Sequence, residues 1–243
     1  MTRPVLLGAA FALLALGPAT TARADASSDH VDRGVRLYEQ KKVPAALESF
    51  RRAVRANKRN AMARFHYARS LAALRQAGMV CEYNDYRYDI MHQLTMALRL
   101  DAALRARLQG EPVFGVVRDK VAWQLLVEGR TLGKKADVEA ILQGVTWHGQ
   151  AHGVCGSTSL KLKEKGVAEL WRTELKAPDG DDCETKLLST GGWAVKGTSV
   201  TIKLPKAIEG RKTFTGTLSK AGRLSLPDES GGPFSDDPDE CGI

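Results

Sequence analysis

Gly34 and Leu37 stand in helical register, and Ala46, Phe50 and Ala53 repeat that register beyond a Lys42-Val43-Pro44 break. No other feature constrains the fold as much. Residues three and four apart share one face of a helix, so each side of the break reads as an amphipathic helix. Pro44 falls at the start of the second helix, where its missing N–H would be unpaired anyway. Glycine and alanine on facing surfaces let two helices approach, and leucine and phenylalanine fill the space beside them. The predicted unit is a helical hairpin, with its first helix over residues 30–41 and its second ending near Ala56.

Upstream, residues 1–24 read as an export signal. Arg3 supplies a positive start, residues 5–16 are apolar but too short to span a bilayer, and Ala22-Arg23-Ala24 gives a small-x-small cleavage pattern. Cleavage after Ala24 leaves 243 less 24, or 219, residues and removes two arginines, which lowers the net charge from +8 to +6. That charge is too dilute for a dedicated nucleic-acid binder, and export makes nucleic acid an improbable partner. The expected location is the periplasm or the extracellular space, with no stable membrane insertion after cleavage. Four cysteines (Cys81, Cys155, Cys183 and Cys241) suit an oxidising compartment and allow three pairings.

Helical periodicity continues through residues 61–76 (with Gly78 as the stop), 89–100, 102–108 and 112–128; the aromatic, acidic stretch 79–89 interrupts it. Past Arg130 the texture changes. Residues 131–136 read as a linker, and short alternating runs follow: Leu160/Leu162, Val200/Ile202/Leu204, Phe214/Leu218 and Leu224/Leu226. Lys165-Gly166, Lys196-Gly197 and Ala221-Gly222 separate them as turns. This predicts an antiparallel β-meander of seven or eight strands, a small barrel or sandwich, over 137–226. Residues 227–243 read as an irregular acidic tail. The fold class is therefore α+β: a helical domain over 25–130 followed by a β domain.

Direction alternates along a meander, so the loops 151–157, 176–183 and 205–211 should share one end. Cys155, Cys183 and Cys241 become neighbours there, with Cys155–Cys183 the favoured bridge. Cys241 could instead take either partner, and Cys81 would be free or would tie the helices to the tail.

Aligned on Gly34, the second 34-residue period places Ala68 and Leu71 where Gly34 and Leu37 stood, and Leu94 and Ala97 resume the pattern. Residues 29–101 thereby resemble tetratricopeptide repeats. The resemblance implies a protein partner held in a groove lined by the first helix of each pair. Carried over position by position, the groove residues are Val31, Val35, Tyr38, Glu39, Phe65, Arg69 and Ala72, with Tyr38 and Arg69 as the expected anchors. Residues 140–226 resemble bacterial lipocalin-like barrels through Gly191-Gly-Trp-Ala-Val-Lys-Gly197 and the run Thr198-Ser-Val-Thr-Ile-Lys-Leu204. That resemblance implies a barrel with Trp147, Trp171 and Trp193 near one end, and the alternative function of carrying a small apolar ligand.

No catalytic constellation stands out. His148-x-x-x-His152-x-x-Cys155 is the sharpest metal-like pattern, but its helical spacing falls where the chain reads as strand and glycine loop, and no fourth ligand follows. The expectation is a non-enzymatic protein with no cofactor. The basic run Arg51, Arg52, Arg55, Lys58, Arg59 and Arg64 reads as a solvated helix end rather than a docking patch.

Overall fold

A computed structural model describes residues 19–79, 87–149, 155–176, 182–208, 211–226 and 234–236. The chain is α+β, with N-terminal helices leading into an eight-stranded closed antiparallel barrel. Helix α1 spans Ala19–Glu39 and α2 spans Val43–Ala56, with Lys41 at positive φ in the turn between them. Gly34 is buried against α2, and a Cβ there would overlap the Phe50 ring. Ala46, Phe50 and Ala53 are fully buried on the facing side.

Helix α1 starts eleven residues before the expected His30, inside the segment read as the signal. Ser27 helps explain the extension. Its hydroxyl donates to the Ala53 carbonyl at 3.0 Å and accepts from the Asn60 amide, which docks the extra turns on α2. Helix α3, Ala61–Gln76, has the predicted bounds. Asn60 caps it by accepting from the Ala63 N–H at 2.9 Å, satisfying one of the donors that a helix start leaves over. Helix α4 spans Arg87–Leu100 and α5 spans Leu104–Gly110.

The single helix expected over 112–128 is instead a 3-10 turn, Pro112–Val117, and helix α6, Val121–Leu126. Long-range bonds hold the break: Arg87 grips the Asp119 carboxylate through two bonds of 2.8 and 2.9 Å, and Lys120 points away to Asp236.

Residues expected as linker run directly into helix α7, Lys135–Gly144. It presents Val138, Ile141 and Leu142 to the barrel, where they are buried with Trp147, Leu160 and Val200. The strands are β1 Thr146–His148, β2 Ser157–Lys163, β3 Val167–Leu175, β4 Cys183–Lys196, β5 Ser199–Ile208, β6 Arg211–Leu218, β7 Arg223–Ser225 and β8 Phe234–Ser235. Each pairs with its sequence neighbour, and β8 pairs with β1 to close the ring. The closing strand comes from the stretch expected to be irregular. Its Phe234 is buried in the barrel core, so one apolar residue outweighs the acidic, Gly/Pro-rich setting.

A second core fills the helical part, built on Phe65, Leu71, Leu94, Leu108, Phe114 and Trp123. Helix α6 belongs to both cores: Val121 packs with the barrel and Trp123 with the helices.

Candidate interaction surface

Helices α1 and α3 lie side by side, and two of the expected groove residues, Tyr38 and Arg69, meet there. The Arg69 guanidinium sits 4.4 Å from the centre of the Tyr38 ring and pairs with Glu111 at 3.0 Å. Tyr38 is half-buried. Burial pushes its phenol up, and the Arg69 charge opposes that shift. Glu39 is exposed beside it. Val31 and Val35 are partly buried. The set therefore forms a Tyr38–Arg69–Glu111 stack with the exposed Glu39 next to it in the chain.

Phe65 and Ala72 lie elsewhere. Both are fully buried, and Phe65 packs edge-on to Phe114 at 5.9 Å, so it belongs to the core rather than a partner-facing surface. Glu111, which completes the stack, went unnoticed as a site residue. Its place just ahead of Pro112, at a helix start where the chain turns back on α3, was the available signal.

His66 is buried between Phe50, stacked at 5.1 Å, and Phe65. Desolvation, with help from Arg107 and Arg69, lowers its pKa to about 4, so the imidazole is neutral in the fold. It serves the helical core as a flat, neutral ring.

The basic run on α2 is divided. Arg51 and Arg52 pair with Glu48 at 3.7 and 3.0 Å. Arg64 is buried, donating to the Lys58 carbonyl and to Gln93 at 2.9 Å each, so it holds α3 to α4 rather than facing solvent.

In the barrel, Trp147 and Trp193 point inward. Their ring N–H groups donate to the Leu142 carbonyl at 3.2 Å and the Lys163 carbonyl at 2.9 Å. Trp171 is on the outer wall, bonded to Glu169 with Lys161 above its ring, so the three tryptophans do not line one chamber. Side chains cannot all face one way along a pleated strand: Ala168 and Leu170 face inward, which turns Trp171 outward. Apolar side chains from Trp147 to Leu226 are buried together on the inner side of the barrel. A cleft of about 760 Å³ follows the seam between α7 and the β2–β3 hairpin, lined by Gln143, Lys161, Leu162 and Glu164, and is not a chamber at the barrel centre.

No family model, curated protein or solved structure matches this chain. The geometry alone therefore carries the functional argument.

Cys155 and Cys183 are bridged, with Cα atoms 5.5 Å apart. The bridge joins two loops at the barrel end where the alternating meander brings them together. It also removes the thiolate from the His148/His152/Cys155 pattern, since a disulfide sulfur is not an anionic ligand. No metal-binding cluster occurs among the described residues. Cys81, Cys241 and His152 lie outside the described residues. No described helix is long and apolar enough to cross a membrane.

Proposed function

We propose that this chain is an exported, non-catalytic scaffold that binds a protein partner through a short tetratricopeptide-like helical array. The observation that carries the reading is the contact of Gly34 with Phe50. A side-chain-free position on the first helix, filled by a large ring from the second, is how such pairs pack. Helices α3 and α4 repeat the arrangement, with Ala68, Leu71, Leu94 and Ala97 buried between them. The partner-facing positions that reach the surface are Tyr38, Glu39 and Arg69, and an aromatic ring stacked on a guanidinium is the composition favoured at binding hot spots. The disulfide supports export, because such bonds persist in oxidising compartments.

The competing reading, a lipocalin-like carrier of a small apolar ligand, draws on the closed eight-stranded barrel, a size that can hold one small ligand or be filled by side chains. The outward-facing Trp171 weighs against it, since the three tryptophans do not line one chamber.

The test is a crosslinking pull-down with the mature chain from its native compartment, repeated with Tyr38→Ala/Arg69→Ala after confirming an unchanged melting curve. Loss of specific partners supports the groove. Retention of the same partners by the folded double variant overturns it.

A further inference from the structure

The cleft of about 760 Å³ between the end of α7 and the β2–β3 hairpin has the size of a small-ligand site. Val145, Leu162 and Val167 supply its apolar floor, and Arg130, Lys161 and Lys163 stand around it.

The three cations are not equivalent. Lys163 is neutralised by Glu169 at 2.6 Å, and the Lys161 ammonium lies over the Trp171 ring, 5.4 Å from its centre. Arg130 uses Nε to bond Glu128 at 3.0 Å, while its Nη1 is buried with no acceptor. A guanidinium in that state gains a charge-assisted bond by turning toward an anion in the cleft.

A second unpartnered atom stands at the same wall. Gln124 is only 4% exposed, and its main-chain carbonyl accepts the Arg130 N–H at 3.0 Å. Its amide packs against Gly144 of the cleft wall, where a Cβ would come within 2.8 Å of Nε2, and its Oε1 has no donor. The wall therefore lacks one acceptor and one donor. A fatty-acid carboxylate supplies only acceptors, whereas the end of a peptide supplies both a carboxylate and an amide N–H.

Charge limits the ligand to a single negative charge. Glu164 is exposed on the rim, and α7 ends at Gly144 on the cleft wall, which puts the negative end of the helix dipole at the same space.

We propose that this cleft binds the C-terminal end of an extended peptide whose last residue is apolar. Arg130 donates to the terminal carboxylate, Lys161 adds charge beside it, and the last side chain covers Val145, Leu162 and Val167. The site shares no residue with the Tyr38–Arg69 surface and does not depend on it.

Amide chemical shifts of the ¹⁵N-labelled mature chain, titrated with acetyl-alanyl-glycyl-leucine, its C-terminal amide and decanoate, test this. The expected result is saturable shifts at Gly144–Thr146 and Lys161–Val167 with the acid, and binding weaker by about tenfold or more with the amide. Arg130→Gln should weaken the acid by about ten- to a hundredfold, the loss of one charge-assisted pair, and Lys161→Gln should weaken it less. Tyr38→Ala/Arg69→Ala should bind the acid as the natural chain does, which separates this site from the helical groove. The acid-against-amide comparison uses the natural chain, so it stands even where Arg130→Gln fails to fold. The proposal is overturned by an acid that gives no saturable shifts, by an amide that binds as tightly, or by a folded Arg130→Gln variant with unchanged affinity. Decanoate binding as tightly as the tripeptide also overturns it, in favour of a site for aliphatic carboxylates.

Discussion

The Nζ of Lys120 lies 2.8 Å from Oδ1 of Asp236, and both side chains are only 6% exposed. The other carboxylate oxygen accepts the Val121 N–H at 2.8 Å at the start of α6, and the Asp236 carbonyl accepts from Lys120 and Arg87. Asp236 follows the closing strand β8, so one buried carboxylate ties the helices to the barrel seam. Gly222 makes room for it, since a Cβ there would overlap the carboxylate.

Asp236→Ala should therefore destabilise strongly, by about 3–5 kcal/mol, because it strands the buried Lys120 charge. Lys120→Met/Asp236→Ala should be milder, about 1–3 kcal/mol, since no buried charge is left unpaired and the main loss is the acceptor of the Val121 N–H. Urea unfolding of both variants measures the two costs. A double variant as unstable as the single one would argue that the salt bridge is not what holds the seam.

Gly34→Ala should cost about 1–3 kcal/mol, because the added methyl meets the fully buried Phe50 ring. Gly34→Ala/Phe50→Leu should recover part of that loss by giving the methyl room. Thermal melts of the set would show the coupling, and strictly additive effects would contradict it.

His66 predicts an acid sensitivity with a definite window. Its pKa falls from 6.5 in the unfolded chain to about 4 in the fold, so the unfolded state takes up the proton first. The stability tied to its neutral form is complete above pH 6.5 and declines as pH falls toward 4, by about 3 kcal/mol in all. Replacing it with an apolar ring, His66→Phe, should flatten the pH profile of unfolding free energy in that interval. An unchanged slope between pH 4 and 6.5 would assign the acid sensitivity to other groups.

Reducing the Cys155–Cys183 bridge, or replacing it with Cys155→Ser/Cys183→Ser, should cost about 2–4 kcal/mol by freeing the unfolded chain. Peptide mapping without reductant should recover the two cysteines in one linked fragment. Their appearance in separate fragments would refute the pairing.

The helical half was legible where local chemistry decides local structure. Helix α3 matched its predicted bounds because Asn60 and Gly78 punctuate it, and the spacing of Gly34 and Phe50 marked them as facing positions of the first hairpin. The break at residues 118–120 was not legible, since its cause is Arg87 on one side and Asp236 on the other, far away in sequence. Helix α7 was missed although Val138, Ile141 and Leu142 carry helical spacing, because ten residues beside a linker give a weak period. At the candidate surface, Tyr38 and Arg69 stack on each other, a contact that periodicity did not predict. Phe65 did not reach it, because periodicity marks an apolar face without saying which neighbour covers it.

By itself, the sequence determined the α+β order, the first helical hairpin and the turns of the meander, and it favoured the Cys155–Cys183 bridge among the possible pairings. Each of these depends on residues close together in the chain or on the simple alternation of strand direction. Tertiary structure decided the closure of the barrel by Phe234–Ser235, the burial of Asp236 with Lys120 and the break between the 3-10 turn and α6. Those features depend on which distant surfaces meet, and a pattern of apolar and polar residues encodes that only through packing of the whole chain.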